Sequence, residues 1–321
     1  MTTEEKIPVL AVVGPTASGK TGLGVMLAQQ YRGEVISADS MQIYEELDIA
    51  TAKPTPEEQQ GIPHHLIGCV PMEQSFSVAD YLSLAKPVIR EVYDRRHLPV
   101  VVGGTGLYIS SLLSNVQLAP TKQDPALREE LLAYANANGN EALHARLKQL
   151  DPEAAAEIHP NNLVRVIRAL EVCLSTGKTF TACKAESHTI PSPYDSVIIG
   201  LTFSDRSILY DRINARVDQM VQAGMVEEAY QVYQNRTLRT VAHAIGYKEL
   251  IPYFENQMPL DSCIEKIKQE TRRYAKRQLT WFRKNDAVQW IILDRFDKKQ
   301  EILEKCQKII AKSDLMCYNI D

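Results

Sequence analysis

An apolar run, Val9–Val13, breaks at Gly14 into a loop of small residues, and a helical pattern follows over Lys20–Tyr31. A second β-rich run, Glu34–Ser37, ends at Asp39, and His65–Cys69 reads as a short third strand. Over Ser77–Arg96 the residues Val78, Tyr81, Leu82, Ala85, Val88, Ile89 and Val92 recur along one helical face. Pro87 is expected to kink or split that helix, because it lacks an N–H and crowds the preceding turn. Leu98–Val102 is again apolar throughout, and Gly103-Gly104-Thr105-Gly106 leads from it into another helix. Strands without polar alternation, joined by helices, predict an α/β fold with a mainly parallel sheet covered on both faces.

From about Thr121 the pattern changes. Asp124–Ala137, Glu141–Leu150, Asp151–Ile158 and Asn161–Ser175 all read as helices, with no strand among them. Ile190-Pro-Ser-Pro193 ends this stretch, and Val197–Phe203 returns as a buried strand. Residues 121–195 are therefore expected to form an inserted all-helical domain, with 1–120 and 196–321 forming the α/β core. Beyond it, Asp205–Ala223 is a helix that Asp205 can cap and Gly224 can end. Ser262–Lys284 is a long basic helix, Val288–Leu293 a last strand and Lys298–Lys312 a last helix.

Composition narrows the class only a little. The 321 residues are 45% hydrophobic and 24% charged, as expected of a folded globular chain. A net charge of −4 means that any nucleic-acid contact must come from local basic faces. The six cysteines are scattered, with no C-x-x-C pair, which argues against a zinc site or a disulfide framework. His64-His65 reads as structural, because adjacent side chains point apart. An acidic N-terminus, and the lack of any apolar run near the roughly 20 residues that span a bilayer, predict a cytoplasmic protein with no membrane partner.

The first loop carries the chemistry. Gly14-Pro15-Thr16-Ala17-Ser18-Gly19-Lys20-Thr21 has the spacing G-x-x-x-x-G-K-[ST] between a strand and a helix. Its backbone amides can cradle phosphate oxygens, Lys20 adds a charge, and the Thr21 hydroxyl can bind Mg²⁺. A nucleoside triphosphatase also needs an acid at the end of a later strand. Leu98–Val102 ends instead in Gly103-Gly104, and the first acidic candidate is Asp39. Asp39 can be a general base beyond the strand end, or merely cap the short helical stretch after Ser40. Thr105 likewise reads either as a capping residue or as part of a site. Arg212 and Arg216 share one helical face beside Leu209, Ile213 and Met220, with Arg216 nearer the middle of that stripe. Lys266–Lys284 holds eight Lys/Arg and one acid, interleaved with Tyr274, Trp281 and Phe282, a pattern compatible with RNA contact or with a solvated amphipathic helix. A small-molecule kinase and a non-catalytic RNA-binding module share parts of this pattern.

The segments "GPTASGKT", "DSMQIY…LDIATAKP", "GIPHHLI", "VVGGTGLYI", "RVIRALEV", "LYDRINARVDQM", "AIGYKEL" and "TRRYAKRQLTWFRK" run in the order seen in tRNA dimethylallyltransferases, also called tRNA isopentenyltransferases, and the chain resembles that family from Val9 to about Lys284. Glu45 and Ala50 stand where the family often has Arg and Gly, and the zinc-finger extension of some eukaryotic members is missing. The resemblance implies a P-loop NTPase-like core that works with Mg²⁺ and transfer of a dimethylallyl group from dimethylallyl diphosphate to the exocyclic amine of the adenosine 3′ of the anticodon; a monomer is expected, because tRNA would supply the large partner surface. It implies that Gly14–Thr21 hold the pyrophosphate, that Asp39 takes or orients the amine proton, that Thr105 lies at the reaction centre, and that Lys20 and an arginine of the 205–223 helix stabilise the leaving group; helical spacing favours Arg216 for that arginine, with Arg212 the alternative. It assigns tRNA contacts to Asp39, Ser40, Met41, Gln42 and Thr105, to Arg128, and to Val164, Arg165, Val166, Ile167 and Arg168. It further assigns them to His243, Gly246, Tyr247 and Lys248, and to the basic helix, where Arg272 and Arg273 are the candidates.

Overall fold

The computed structural model describes residues 6–118, 124–235, 238 and 241–313, and of His243 the backbone alone. The composition change at Thr121 and Cys317 fall outside the described residues. The chain forms two compact units, one of Met1–Leu113 with Pro193–Asp321, the other of Ser114–Ser192.

The first unit is built on a six-stranded sheet in the order β3-β2-β4-β1-β5-β6, with every pairing parallel. Its strands are β1 (Ile7–Val13), β2 (Gly33–Ser37), β3 (His64–His65), β4 (Leu98–Gly103), β5 (Tyr194–Thr202) and β6 (Val288–Ile292). Pleating sends alternate residues to opposite faces. Val9, Ala11 and Val13 join one core with Tyr81, Ala85 and Ile89 of α3 (Val78–Asp94) and Ile109 and Leu112 of α4 (Gly106–Leu113). Leu10 and Val12 join the other, with Leu23 and Leu27 of α1 (Lys20–Gln30) and Leu303 and Ile310 of α14 (Lys299–Ile310). Burial on both faces is why these strands carry no polar alternation.

A third apolar cluster forms from α10 (Arg206–Gln222), α11 (Met225–Gln234), α13 (Leu260–Phe282) and the segment around Ile43–Leu47. Two short helices, α2 (Pro56–Gln59) and α12 (Ile251–Phe254), complete this unit. The helical unit comprises α5 (Pro125–Asn138), α6 (Asn140–Leu150), α7 (Pro152–Glu157), α8 (Leu163–Thr176) and α9 (Phe180–Glu186), packed around Leu131, Leu143, Leu147, Val166 and Leu170.

Three local expectations are corrected. The third strand covers His64–His65 and stops there, because Leu66 and Gly68 adopt left-handed backbone with φ of 60° and 54°. Helix α3 runs unbroken through Pro87, which lies on the exposed side together with Ser83, the residue whose carbonyl loses its helical donor to the ring. The residues after Asp39 form turns and not a helix.

Candidate active site

The phosphate loop joins β1 to α1. Gly14 has φ +149°, and a Cβ there would lie 2.8 Å from the Leu201 carbonyl oxygen, so the position admits no side chain. Gly19 caps α1 in the left-handed region at φ 88°. Within the loop the Ser18 hydroxyl and the Lys20 ammonium both donate to the Pro15 carbonyl, at 2.8 and 2.6 Å. Arg212 Nε donates to the Ala17 carbonyl at 2.9 Å, with its guanidinium over the Phe203 ring. Arg212 thus braces the loop and, with Arg216, lines a hollow beside Gly19, Lys20 and Thr21, while Arg216 also lines the neighbouring cavity that Asp39 borders. Burial lowers the Lys20 pKa to about 7, the Arg216 charge adds to this and the Asp39 charge opposes it. Burial also lowers Arg216, against the pull of Glu58 and Asp39.

Asp39 stands just beyond β2, in the turn that faces this loop. Its Oδ1 accepts from the Met41 and Gln42 amides at 2.9 and 3.4 Å, which fixes the turn. Among the described residues, Oδ2 has no hydrogen-bond partner. The Ser40 amide donates to Thr105 Oγ1 at 3.0 Å, and the Thr105 hydroxyl reaches Ser40 Oγ at 3.3 Å. Thr105 does not line the cavity; it holds the acidic turn from the β4–α4 side. Gln42 is a brace too, its Nε2 donating to the carbonyls of Thr51 and Ala52 at 3.1 and 3.0 Å.

The cavity encloses about 360 Å³. Lys20, Thr21, Asp39 and Arg216 line its polar part, and Ile213, Val217, Met220 and Met225 line its apolar part. Ser40, Met41, Gln42, Gly246, Tyr247 and Lys248 also border it. Of these, Tyr247 is buried, and its hydroxyl donates to Glu228 at 2.8 Å.

Several residues were not singled out by the sequence. The buried Glu228 carboxylate on α11 accepts the backbone amides of Asp48, Ile49 and Ala50 at 2.8–2.9 Å, so it shapes the segment that Gln42 in turn holds. Arg277 and Gln278 of α13 border the cavity, and so do Tyr274, expected only as part of the basic helix, and His64, expected to be structural. A helix-facing acid gives no local sign that its partners lie 180 residues away, and the aromatic-basic rhythm of α13 drew attention to charge, away from Gln278.

Other anticipated RNA contacts have structural partners. In the helical unit Arg128 and Arg168 converge on Glu171, whose side chain is fully buried, at 2.9 and 2.6 Å. Val166 is buried in that unit's core and Ile167 packs against it, whereas Val164 is 81% exposed and Arg165 is exposed. On α13 Arg272 donates to Asn214 at 2.6 Å and Arg273 pairs with Glu270 at 2.5 Å. The His243 side chain lies outside the described residues.

The sequence matches a family model described as IPP transferase over residues 42–285. The chain belongs to the IPP transferase family. It is 49% identical over 301 residues to the tRNA dimethylallyltransferase of Halalkalibacterium halodurans, covering 93% of this chain and 95% of that protein. It is 48% identical over 303 residues to the tRNA dimethylallyltransferase of Bacillus subtilis, covering 92% and 96%. Among solved structures, the full-length tRNA isopentenylpyrophosphate transferase from Bacillus halodurans superposes with a TM-score of 0.72 at 46% identity, over 98% of each chain. A eukaryotic dimethylallyltransferase acting on tRNA superposes with a TM-score of 0.80 at 29% identity, over 96% of this chain and 80% of that one. Among the described residues no helix is long and apolar enough to cross a membrane.

Proposed function

We propose that the protein transfers the dimethylallyl group of dimethylallyl diphosphate to the exocyclic amine of the adenosine immediately 3′ of the anticodon in tRNA, releasing pyrophosphate. The observation that carries this reading is the make-up of the cavity. Cations and a phosphate loop, apolar side chains, and a carboxylate with one oxygen left open all line it. A diphosphate bearing a five-carbon allylic chain needs the first two, and an amine nucleophile needs the third. The close relatives carry the matching names.

The amine nitrogen attacks the allylic carbon, and the carbon–oxygen bond to the diphosphate breaks. Its electron pair leaves on the pyrophosphate oxygen, and the amine proton passes to Asp39 Oδ2. Charge growing on the leaving group meets the loop amides, Lys20 and Arg216, which are already in position. Thr21 suits magnesium, which takes few oxygens from protein and the rest from phosphates and water. Thr21 would hold the ion, which would supply further neutralisation of the diphosphate. Thr105 acts through Ser40 on the Asp39 turn. The target base must leave its stack to reach Asp39, at a cost of a few kcal/mol that is smaller in a loop than in a duplex. Ser40–Gln42 and Gly246–Lys248 border the cavity where that base would enter, and Arg165 and Val164 offer exposed contacts on the helical unit. The protein works as a cytoplasmic monomer on the anticodon stem-loop.

Carbon-labelled dimethylallyl diphosphate and γ-labelled ATP, offered separately with unmodified tRNA and with a panel of metabolites, test the reading. Carbon label in tRNA is the expected result. Phosphate label in a metabolite would mean a kinase, and label in neither product would leave only an RNA-binding module.

A further inference from the structure

We infer that Gln278 is a positioning residue that sets the phosphate loop against the β4–α4 turn, and so fixes the distance between leaving group and base. This rests on the reading above. Gln278 is 5% exposed on α13. Its Oε1 accepts the Thr16 amide of the phosphate loop at 2.8 Å, and its Nε2 donates to the Gly104 carbonyl at 3.0 Å. These two backbone groups lie just past the ends of β1 and β4, whose last paired residues are Val13 and Gly103. The sheet's own ladder has ended there, and the carboxamide continues the connection.

A neutral amide is suited to this, since it accepts and donates at once in a fixed plane. Glutamate, when ionised, only accepts, and methionine does neither with useful strength. The approach also requires Gly104, where a Cβ would lie 2.1 Å from Nε2. No positive φ is needed at that position, so the amide contact alone accounts for glycine there. One turn earlier on α13, Tyr274 interacts with the side chains of both Thr105 and Gln278. Thr105 in turn holds the Ser40 amide beside Asp39. The donor side and the base side of the cavity are therefore tied to one helix.

Gln278→Glu provides a readout that a merely structural role would not move. At alkaline pH its single-turnover rate should fall about 10²-fold, as for a small misplacement of reacting groups. The ratio of its rate to that of the wild type should recover as pH falls, because the protonated carboxyl both accepts from Thr16 and donates to Gly104. Gln278→Met should be slow at every pH with unchanged tRNA affinity. Gly104→Ala, which pushes a methyl onto Nε2, should behave like Gln278→Met and decides the matter if Gln278→Glu does not fold. A ratio independent of pH, or a fast Gln278→Met, would overturn the inference. Hydrogen exchange at the Thr16 amide gives a second readout without substrate: it should accelerate in Gln278→Met, and unchanged exchange would equally overturn the inference. If the wild type transfers no allyl group, the functional reading fails while the exchange result still decides whether Gln278 holds the loop.

Discussion

Strand β2 carries a carboxylate near each end, and the two are built differently. Glu34 sits at the amino end, where its buried carboxylate takes hydrogen bonds from His65 and His97 at 2.6 Å each and from Arg95 at 2.7 and 3.2 Å. Burial alone would raise its pKa, yet these partners outweigh it and hold the group down at about 2. Asp39 sits beyond the carboxyl end. One of its oxygens fixes a turn, and the other faces a cavity in which Lys20 and Arg216 act on it only at a distance. In parallel sheets, ligands gather beyond the carboxyl ends of the strands. The comparison teaches that a saturated carboxylate is architecture, while one with capacity left over can accept a proton. Glu171 in the helical unit follows Glu34: it is buried and occupied by Arg128 and Arg168.

The comparison breaks most sharply at Asp39. Asp39→Asn keeps the turn and loses the base, so single-turnover transfer should drop by roughly 10²–10⁴-fold, with melting temperature and tRNA affinity unchanged. A rate near wild type would remove Asp39 from the chemistry. Glu34→Ala should do the reverse. It should destabilise the fold by about 3 kcal/mol, the lower end for breaking a buried pair because Arg95 keeps contact with water, and leave the rate of folded enzyme intact. Because the folded-state pKa is depressed, Glu34's contribution is full above about 4.5 and is lost as pH falls through about 2. Denaturant titrations across that window should show a slope in the wild type that flattens in Glu34→Ala.

Lys20 sharpens the electrostatic half of the comparison. With a free-state pKa of about 7, it is increasingly neutral above that pH, and a bound diphosphate favours its charged form. Diphosphate affinity should therefore be highest below about pH 7 and weaken above it by up to about tenfold per unit, a fall that Lys20→Met should largely remove. Calorimetry in buffers of different ionisation enthalpy would show the matching proton uptake, and equal uptake by both proteins would refute it. The smallest effect belongs to Arg165. If it meets an RNA phosphate, Arg165→Ala should flatten the slope of log affinity against log salt by about 0.7–0.9. Arg168→Ala should chiefly destabilise the helical unit, by leaving Glu171 with one partner fewer.

Much of this was legible along the chain, for local reasons. Unbroken apolar runs marked β1 and β4, a short β-rich run marked β2, the Gly14–Thr21 spacing marked the loop, and Asp39 stood out by following a strand. What escaped notice depends on partners distant in sequence. Gln278 and Thr16 are 262 residues apart, and Glu228 and the Asp48–Ala50 amides about 180. Arg168 and Glu171 are the exception, since their i,i+3 spacing on a helix was visible and points to a pair. The early end of β3 turned on the left-handed backbone of Leu66, which leucine rarely adopts and no pattern of hydrophobicity announces.

The central claim is that this cavity treats diphosphate as a leaving group displaced by an RNA amine. It is tested most directly by counting pyrophosphate released and allylated adenosine formed in one reaction, with and without tRNA. The account predicts one pyrophosphate for each adenosine modified 3′ of the anticodon, and no release when tRNA is withheld. Pyrophosphate released without tRNA, or phosphate passing from ATP to an acceptor, would contradict it.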